Sequence, residues 1–298
     1  MKGNSLSNDI QTKSIWSFLI MTFAITWGII AIYFITPGLA KNLFGELHDK
    51  HPLFFIGMYS PSITAIFLVW YHFKLKGVKK FLSRALLWRA PINWWIFILA
   101  GTPLVFIAGS LIKGNLSESF MSDEVMATLP SLLLLRLFMG TLEEFGWRGF
   151  AQPLLQRKYS PLTTSVFIGT VWGIWHLPIF FMSNMVQSQW GFFPFLLGNI
   201  FLSIIFTGIF NSSKGSIFLA ALFHYQLINP LWPDAQPYDT YCFALVAIAV
   251  VFINKKTNAE NSDSVDLTGI EGVFTNSGSF THAKSTLTNL GLVTNTGT

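Results

Sequence analysis

Charge is scarce in this 298-residue chain: 14 acidic and 19 basic residues make up 11% of it, less than half the roughly 25% of an ordinary soluble domain. Such a chain does not build a solvated globular surface. Cysteine is scarcer still. Cys242 stands alone, which excludes an intramolecular disulfide and any CxxC metal or redox pair. The HExxH signature of zinc proteases is missing, as is the GxSxG elbow of serine hydrolases. No internal repeat of the kind that builds transporters is visible. What the chain has instead is apolar: 52% hydrophobic and 16% aromatic residues, with a mean hydropathy of +0.51. Several runs reach membrane-spanning length, so the fold class is an all-α, polytopic membrane helix bundle of about eight transmembrane helices. The isoelectric point near 9.3 does not argue for nucleic acid, because the basic residues sit in short connections between spans, where they set topology.

The first span is expected from Ile15 to Ile35, after a cytoplasmic N-terminus of residues 1–14, and is read as a retained span rather than a leader. The second runs from Leu53 to Phe73, with a kink at Ser60-Pro61-Ser62. The connection from Lys74 to Pro91 carries Lys74, Lys76, Lys79, Lys80, Arg84 and Arg89 and no acid, so it is expected in the cytoplasm. Further spans are expected over Asn93–Ile112, Leu129–Leu155, Pro161–Phe181, Phe192–Phe210, Ser216–Ile228 and Tyr241–Ile253, the seventh short enough to be partly re-entrant. Lys214 then falls in an inner connection, and Asp234 and Asp239 in an outer one. Residues 15–254 form the transmembrane domain. Residues 255–298, rich in Thr, Asn, Ser and Gly, lack the apolar surface for a core and are expected as a disordered cytoplasmic tail.

The fourth span carries Glu143, Glu144 and Arg148. Charges inside a bilayer are costly and usually functional. On a helix Glu144 and Arg148 lie four apart on one face, where they pair, while Glu143, about 100° round the helix, has no local partner. A dry, unpaired carboxylate has its charged form disfavoured, the condition under which it serves as a general base. The alternative is that all three charges anchor the helix among headgroups. Of six histidines, only His176 and His224 fall well inside expected spans, His72 lying at the very edge of the second. Polar groups in a bilayer must find one another, so convergence with the glutamates is the cheapest packing. Counting about 1.5 Å per residue puts Glu143 about 21 Å and His176 about 22 Å from the starts of their helices, overlapping levels near mid-membrane. Arg136 is too far from Glu143 for pairing and is expected to snorkel outward or meet an outer-loop acid. Asn199, Ser203 and Thr207 recur at helical spacing, as interhelical hydrogen-bonding groups do. His48, His51, His72 and His282 carry no functional signal.

E-E-x-x-x-R, then Trp172 four residues before His176-Leu177-Pro178, then His224 with a downstream Asn229, resembles the CPBP family of intramembrane proteases. That family includes the type II CAAX prenyl endopeptidases and the bacterial Abi and bacteriocin-immunity relatives. The likeness covers residues 129–230. It implies that Glu143 activates a water with His176 as its partner, and that His224 and Asn229 stabilise the oxyanion formed at the peptide carbonyl. Glu144, Arg148 and Trp172 become structural supports, Trp172 standing where the family usually has Phe. The family's His and Asn are four residues apart, whereas Asn229 is five beyond His224, some 140° off its face on a regular helix. Pro230 or a π-bulge offers a way back.

The expected activity is therefore intramembrane endoproteolysis near the cytoplasmic face, without a cofactor. Three alternatives stand beside it: a zinc-dependent version held by Glu143, His176 and His224; a non-catalytic immunity or scaffold protein binding a peptide or partner in the same cavity; and, last, a small-solute transporter. The expected partners are membrane lipids and a peptide or membrane-protein substrate, lipidated if the resemblance extends that far, and no nucleic acid. The expected location is a bacterial plasma membrane with both termini inside.

Overall fold

The computed structural model describes residues 14–116, 123–183 and 185–260. The N-terminal segment before Ser14 and the expected tail beyond Glu260 lie outside the described residues. Among the described residues the ordered elements are all helical. In chain order they are α1 (Ser14–Ile35), α2 (Pro37–Phe44), α3 (Pro52–Met58), α4 (Ser60–Leu82), α5 (Ile92–Ile96), α6 (Thr102–Lys113), α7 (Asp123–Phe138), α8 (Gln152–Gln156), α9 (Pro161–Trp175), α10 (Phe192–Ser212), α11 (Ile217–Leu227) and α12 (Tyr238–Glu260). Short 3-10 or π turns fill several of the joints.

Four stretches are long and apolar enough to cross a membrane: Ser14–Ile35, Ile92–Lys113, Pro161–Phe181 and Phe192–Ser212. The second expected span makes a fifth as the bent pair α3 and α4, which meet at 61°. The bend falls at Tyr59, where Pro61 opens the new helix and has no N–H to continue the old one. The seventh and eighth expected spans appear as shorter apolar helices, Ile217–Leu227 and Tyr238–Ile253.

The fourth expected span departs most from its sequence reading. It is not one helix: α7 stops at Phe138, Gly140 turns the chain at φ 74°, a 3-10 turn covers Thr141–Glu143, and a π-helix runs Phe145–Ala151 before α8. Residue counting along a straight helix therefore does not measure the depth of Glu143. Gly146 explains how the broken segment packs. A Cβ there would lie 2.5 Å from the Pro61 carbonyl carbon, so only glycine lets this backbone lie against the α3–α4 bend.

The Lys74–Pro91 connection also differs from an open loop. Helix α4 continues through it to Leu82, with a break at Lys74 (φ 55°, ψ −160°). Arg84, expected in water, is 4% exposed, with Nη1 donating to the Gly149 carbonyl at 2.7 Å and Nη2 to the Gly215 carbonyl at 3.1 Å. This contact puts two connections expected on the inner side next to each other. Lys113 pairs with Asp234 at 2.6 Å, joining two connections expected outside.

The core is a large aromatic and aliphatic cluster with a smaller one around Ile30, Leu47, Ile179, Met182 and Met185. Phe18, Trp147, Phe150, Trp172, Phe206, Phe210 and Phe223 are all buried in the large cluster. Helix α10 lies at the centre, packed on α9 and on α12. Two of its three spaced polar side chains bond to its own backbone rather than to another helix, Asn199 donating to the Phe195 carbonyl at 2.9 Å and Thr207 to the Ser203 carbonyl at 2.8 Å, while Ser203 Oγ is buried without a partner among the described residues; the interhelical reading is corrected at these positions.

Candidate active site

The site is built where the broken fourth segment meets the ends of α9 and α11. Glu143 closes the 3-10 turn and is 3% exposed; Glu144 and Arg148, at 0%, are sealed in the core. The expected four-apart pair is present, Arg148 Nη1 lying 3.2 Å from Glu144 Oε2. The guanidinium also stacks over two rings, with Cζ 3.8 Å from the Phe206 centroid and 4.7 Å from that of Trp172. Arg148 is thus neutralised on one side and covered by π-faces on the other, which a buried cation needs.

Two contacts from other helices extend the sequence reading of this motif. Glu143, without a local partner, is served from α9: the Trp172 indole N–H donates to its Oε2 at 3.0 Å. Glu144 does more than pair with Arg148, because its Oε1 accepts from His224 Nδ1 at 2.6 Å. A carboxylate bridging an arginine and a histidine orients the imidazole as well as balancing charge.

His176 caps the end of α9, and its Nδ1 meets the Trp172 carbonyl at 2.8 Å. A carbonyl only accepts, so Nδ1 carries the proton and Nε2 is left with the lone pair in the neutral ring. His224, on α11 and 5% exposed, stands edge to face with Trp172 at 5.5 Å between centroids. Its Nε2 faces Gly140, where an added Cβ would lie 2.7 Å away. A glycine at positive φ with a histidine against its Cα is required here twice over. Trp172 is the common neighbour, touching Glu143, Arg148, His176 and His224.

Asn229 is not brought into this group. Helix α11 ends at Leu227, so neither a π-bulge nor a continued helix carries Asn229 back toward His224. Its Nδ2 donates to Gln226 Oε1 at 3.1 Å and its Oδ1 accepts from the Leu231 N–H at 3.0 Å. Among the described residues, no group of three or more His, Cys, Asp or Glu is arranged to hold a metal ion.

Other supports were not singled out from sequence. Ser62 donates to the Leu142 carbonyl, the Tyr59 hydroxyl donates to the Phe138 carbonyl at 3.0 Å, and Gln226 donates to the Ile98 carbonyl at 3.1 Å. Helix α1 steadies the His176 end of α9: Trp175 Nε1 donates to Thr26 Oγ1 at 2.9 Å and Trp27 Nε1 to the Trp175 carbonyl at 3.0 Å. The Ser60-Pro61-Ser62 kink was the one sequence signal pointing at this wall of the site.

Residues 125–227, which hold Glu143, Glu144, Arg148, Trp172, His176 and His224, match the family of type II CAAX prenyl endopeptidase Rce1-like proteins. This segment is similar to the Rce1-like family. CAAX prenyl protease 2 of Methanococcus maripaludis is 36% identical over 149 residues, covering 46% of this chain and 53% of that protein. Lysostaphin resistance protein A of Staphylococcus haemolyticus is 24% identical over 234 residues, covering 75% of this chain and 58% of that protein. The Staphylococcus aureus protein of the same name is 21% identical over 232 residues, 75% and 50% respectively. The chain spans about half the length of these curated relatives. These relatives are archaeal and bacterial proteins, and this chain shares with a membrane-embedded protein its long apolar helices.

Proposed function

We propose that this chain is an intramembrane endopeptidase that hydrolyses a peptide bond with a glutamate-activated water. The observation that carries the reading is a buried Glu143 whose Oε2 is held by Trp172, with His176 and His224 grouped around the same tryptophan. Glu143 takes the proton of the attacking water as general base. His176, with its proton fixed on Nδ1, offers the Nε2 lone pair as a second acceptor for that water. His224 faces the oxyanion; to donate from Nε2 it must be doubly protonated, and the positive ring then lies against Glu144 at 2.6 Å. Glu144 accordingly serves His224, and Arg148 balances the second charge of the glutamate pair. Asn229 completes the oxyanion donors only if the Gln226 and Leu231 contacts open when substrate binds.

The substrate is a peptide or membrane protein, cut near the cytoplasmic face of a plasma membrane, with a prenyl or other lipid as one class of substrate group. The zinc alternative would draw its ligands from Glu143 and the Nε2 atoms of His176 and His224; no step above needs the metal. The non-catalytic reading has one specific observation in its favour, the engagement of Asn229 away from His224. The named role of the staphylococcal relatives in lysostaphin resistance is compatible with either reading.

The test is cleavage of a quenched library of prenylated and membrane peptides by the purified full chain and by Glu143→Ala, each with and without chelator. Cleavage abolished by the substitution and indifferent to chelator is the expected result. Loss in chelator with recovery on added zinc replaces the metal-free mechanism. A folded parent that cleaves nothing returns the site to peptide binding.

A further inference from the structure

A glutamate on a short turn has two equivalent oxygens and a loosely defined terminal torsion, so something must decide which oxygen meets the reacting water. We infer that the indole N–H of Trp172 is a positioning group for Glu143: it holds Oε2 and leaves Oε1 as the oxygen that faces the reaction. The kinetic part of this inference rests on the protease reading; the hydrogen bond itself does not.

The bond is 3.0 Å long and buried. Glu143 makes no other side-chain hydrogen bond among the described residues, and Oε1 is not among the enclosed polar atoms that lack partners. With Oε2 held by the indole, Oε1 is the oxygen left to meet a water. Trp172 is itself immobilised, 3% exposed, under the Arg148 guanidinium and edge to face with Phe206 at 5.9 Å. The same residue accepts the His176 Nδ1 proton on its backbone carbonyl. One tryptophan thus sets the carboxylate through its side chain and the imidazole through its main chain, fixing the base and its partner relative to each other before substrate arrives. A ring without an N–H would fill the volume and leave the carboxylate free to rotate.

The experiment compares Trp172→Phe with the full chain carrying 3-benzothienylalanine at position 172, a tryptophan isostere with sulfur in place of the N–H. Both are expected to lose on the order of 10–100-fold in kcat with KM within about twofold of the parent, because orientation rather than binding is removed. An isostere that turns over at the parent rate overturns the inference, since shape alone then suffices. The second measurement needs no activity: the indole ¹⁵N–¹H resonance of Trp172, assigned by its absence in Trp172→Phe, is followed in detergent in the parent and in Glu143→Ala. An upfield move of the indole proton is expected, and an unmoved resonance overturns the inference. A parent that cleaves nothing but whose resonance moves counts against the protease reading and for the Trp172–Glu143 bond.

Discussion

The fourth and sixth expected spans are both apolar and both carry polar side chains, yet α10 is a single helix of 21 residues, while the stretch from Asp123 to Gln156 is cut into an α-helix, a glycine turn, a 3-10 turn, a π-helix and a short α-helix. The difference lies in what the polar groups demand. An amide or hydroxyl in a dry helix can bond to the carbonyl one turn back, as Asn199 and Thr207 do, and the helix stays regular. A carboxylate cannot, because it needs donors and the helix interior has none to spare. Glu143 and Glu144 must be served from α9 and α11, and the backbone is broken and rewound around them so that two consecutive carboxylates meet different donors. Non-regular backbone at membrane depth is tolerated where it is buried in protein and partnered, and π-turns gather at functional sites for this reason.

This contrast predicts a steep gradient of mutational effects. The largest is Glu143→Gln or Glu143→Ala, for which cleavage assays should show a loss on the order of 10²–10⁴-fold, the usual contribution of a general base, with thermal stability little changed. Next is Glu144→Gln, which leaves Arg148 buried beside a neutral amide; about 3–5 kcal/mol of stability should disappear in a denaturation series, as expected on removing one partner of a buried ion pair. Gly140→Ala comes third, with strain of about 1–3 kcal/mol from a side chain at positive φ, and a cleavage rate that falls further than stability because His224 is pushed aside. Asn229→Ala separates the two readings of that residue: a drop of more than about tenfold in kcat, larger than one lost hydrogen bond in the ground state accounts for, marks it as an oxyanion donor, and an unchanged kcat marks it as a helix-end cap. At the small end, Ser203→Ala on α10 should change stability by less than about 0.5 kcal/mol and activity not at all, because its buried Oγ has no hydrogen-bond partner to lose. An α10 substitution as damaging as those in the broken segment would erase the contrast.

Much of this was legible from residues. The scarcity of charge announced a membrane bundle, and of the few charged or imidazole groups inside apolar runs the fold gathers Glu143, Glu144, Arg148, His176 and His224 around Trp172 but not Arg136. The Glu144–Arg148 pair followed from helical spacing and survives the change of helix type, because both ends are drawn to each other regardless of the turn between them. Trp172 was placed beside the site, but only as an aromatic filler, since a sequence does not say where an indole N–H points. The Glu144–His224 contact was hidden for a related reason: the residues are 80 positions apart, and nothing local marks one glutamate rather than its neighbour as the histidine's partner. Asn229 was known to be out of register, and the end of α11 at Leu227 decided that it turns to Gln226.

By itself the sequence determined the membrane-embedded helical class, the approximate span positions and the short set of polar residues from which a site can be built, because hydropathy and charge act on each segment independently of the rest. Only the tertiary structure decided where the helices break and which oxygen of which glutamate is held by which donor. Those choices are made by packing several segments at once around charges that no single segment can satisfy.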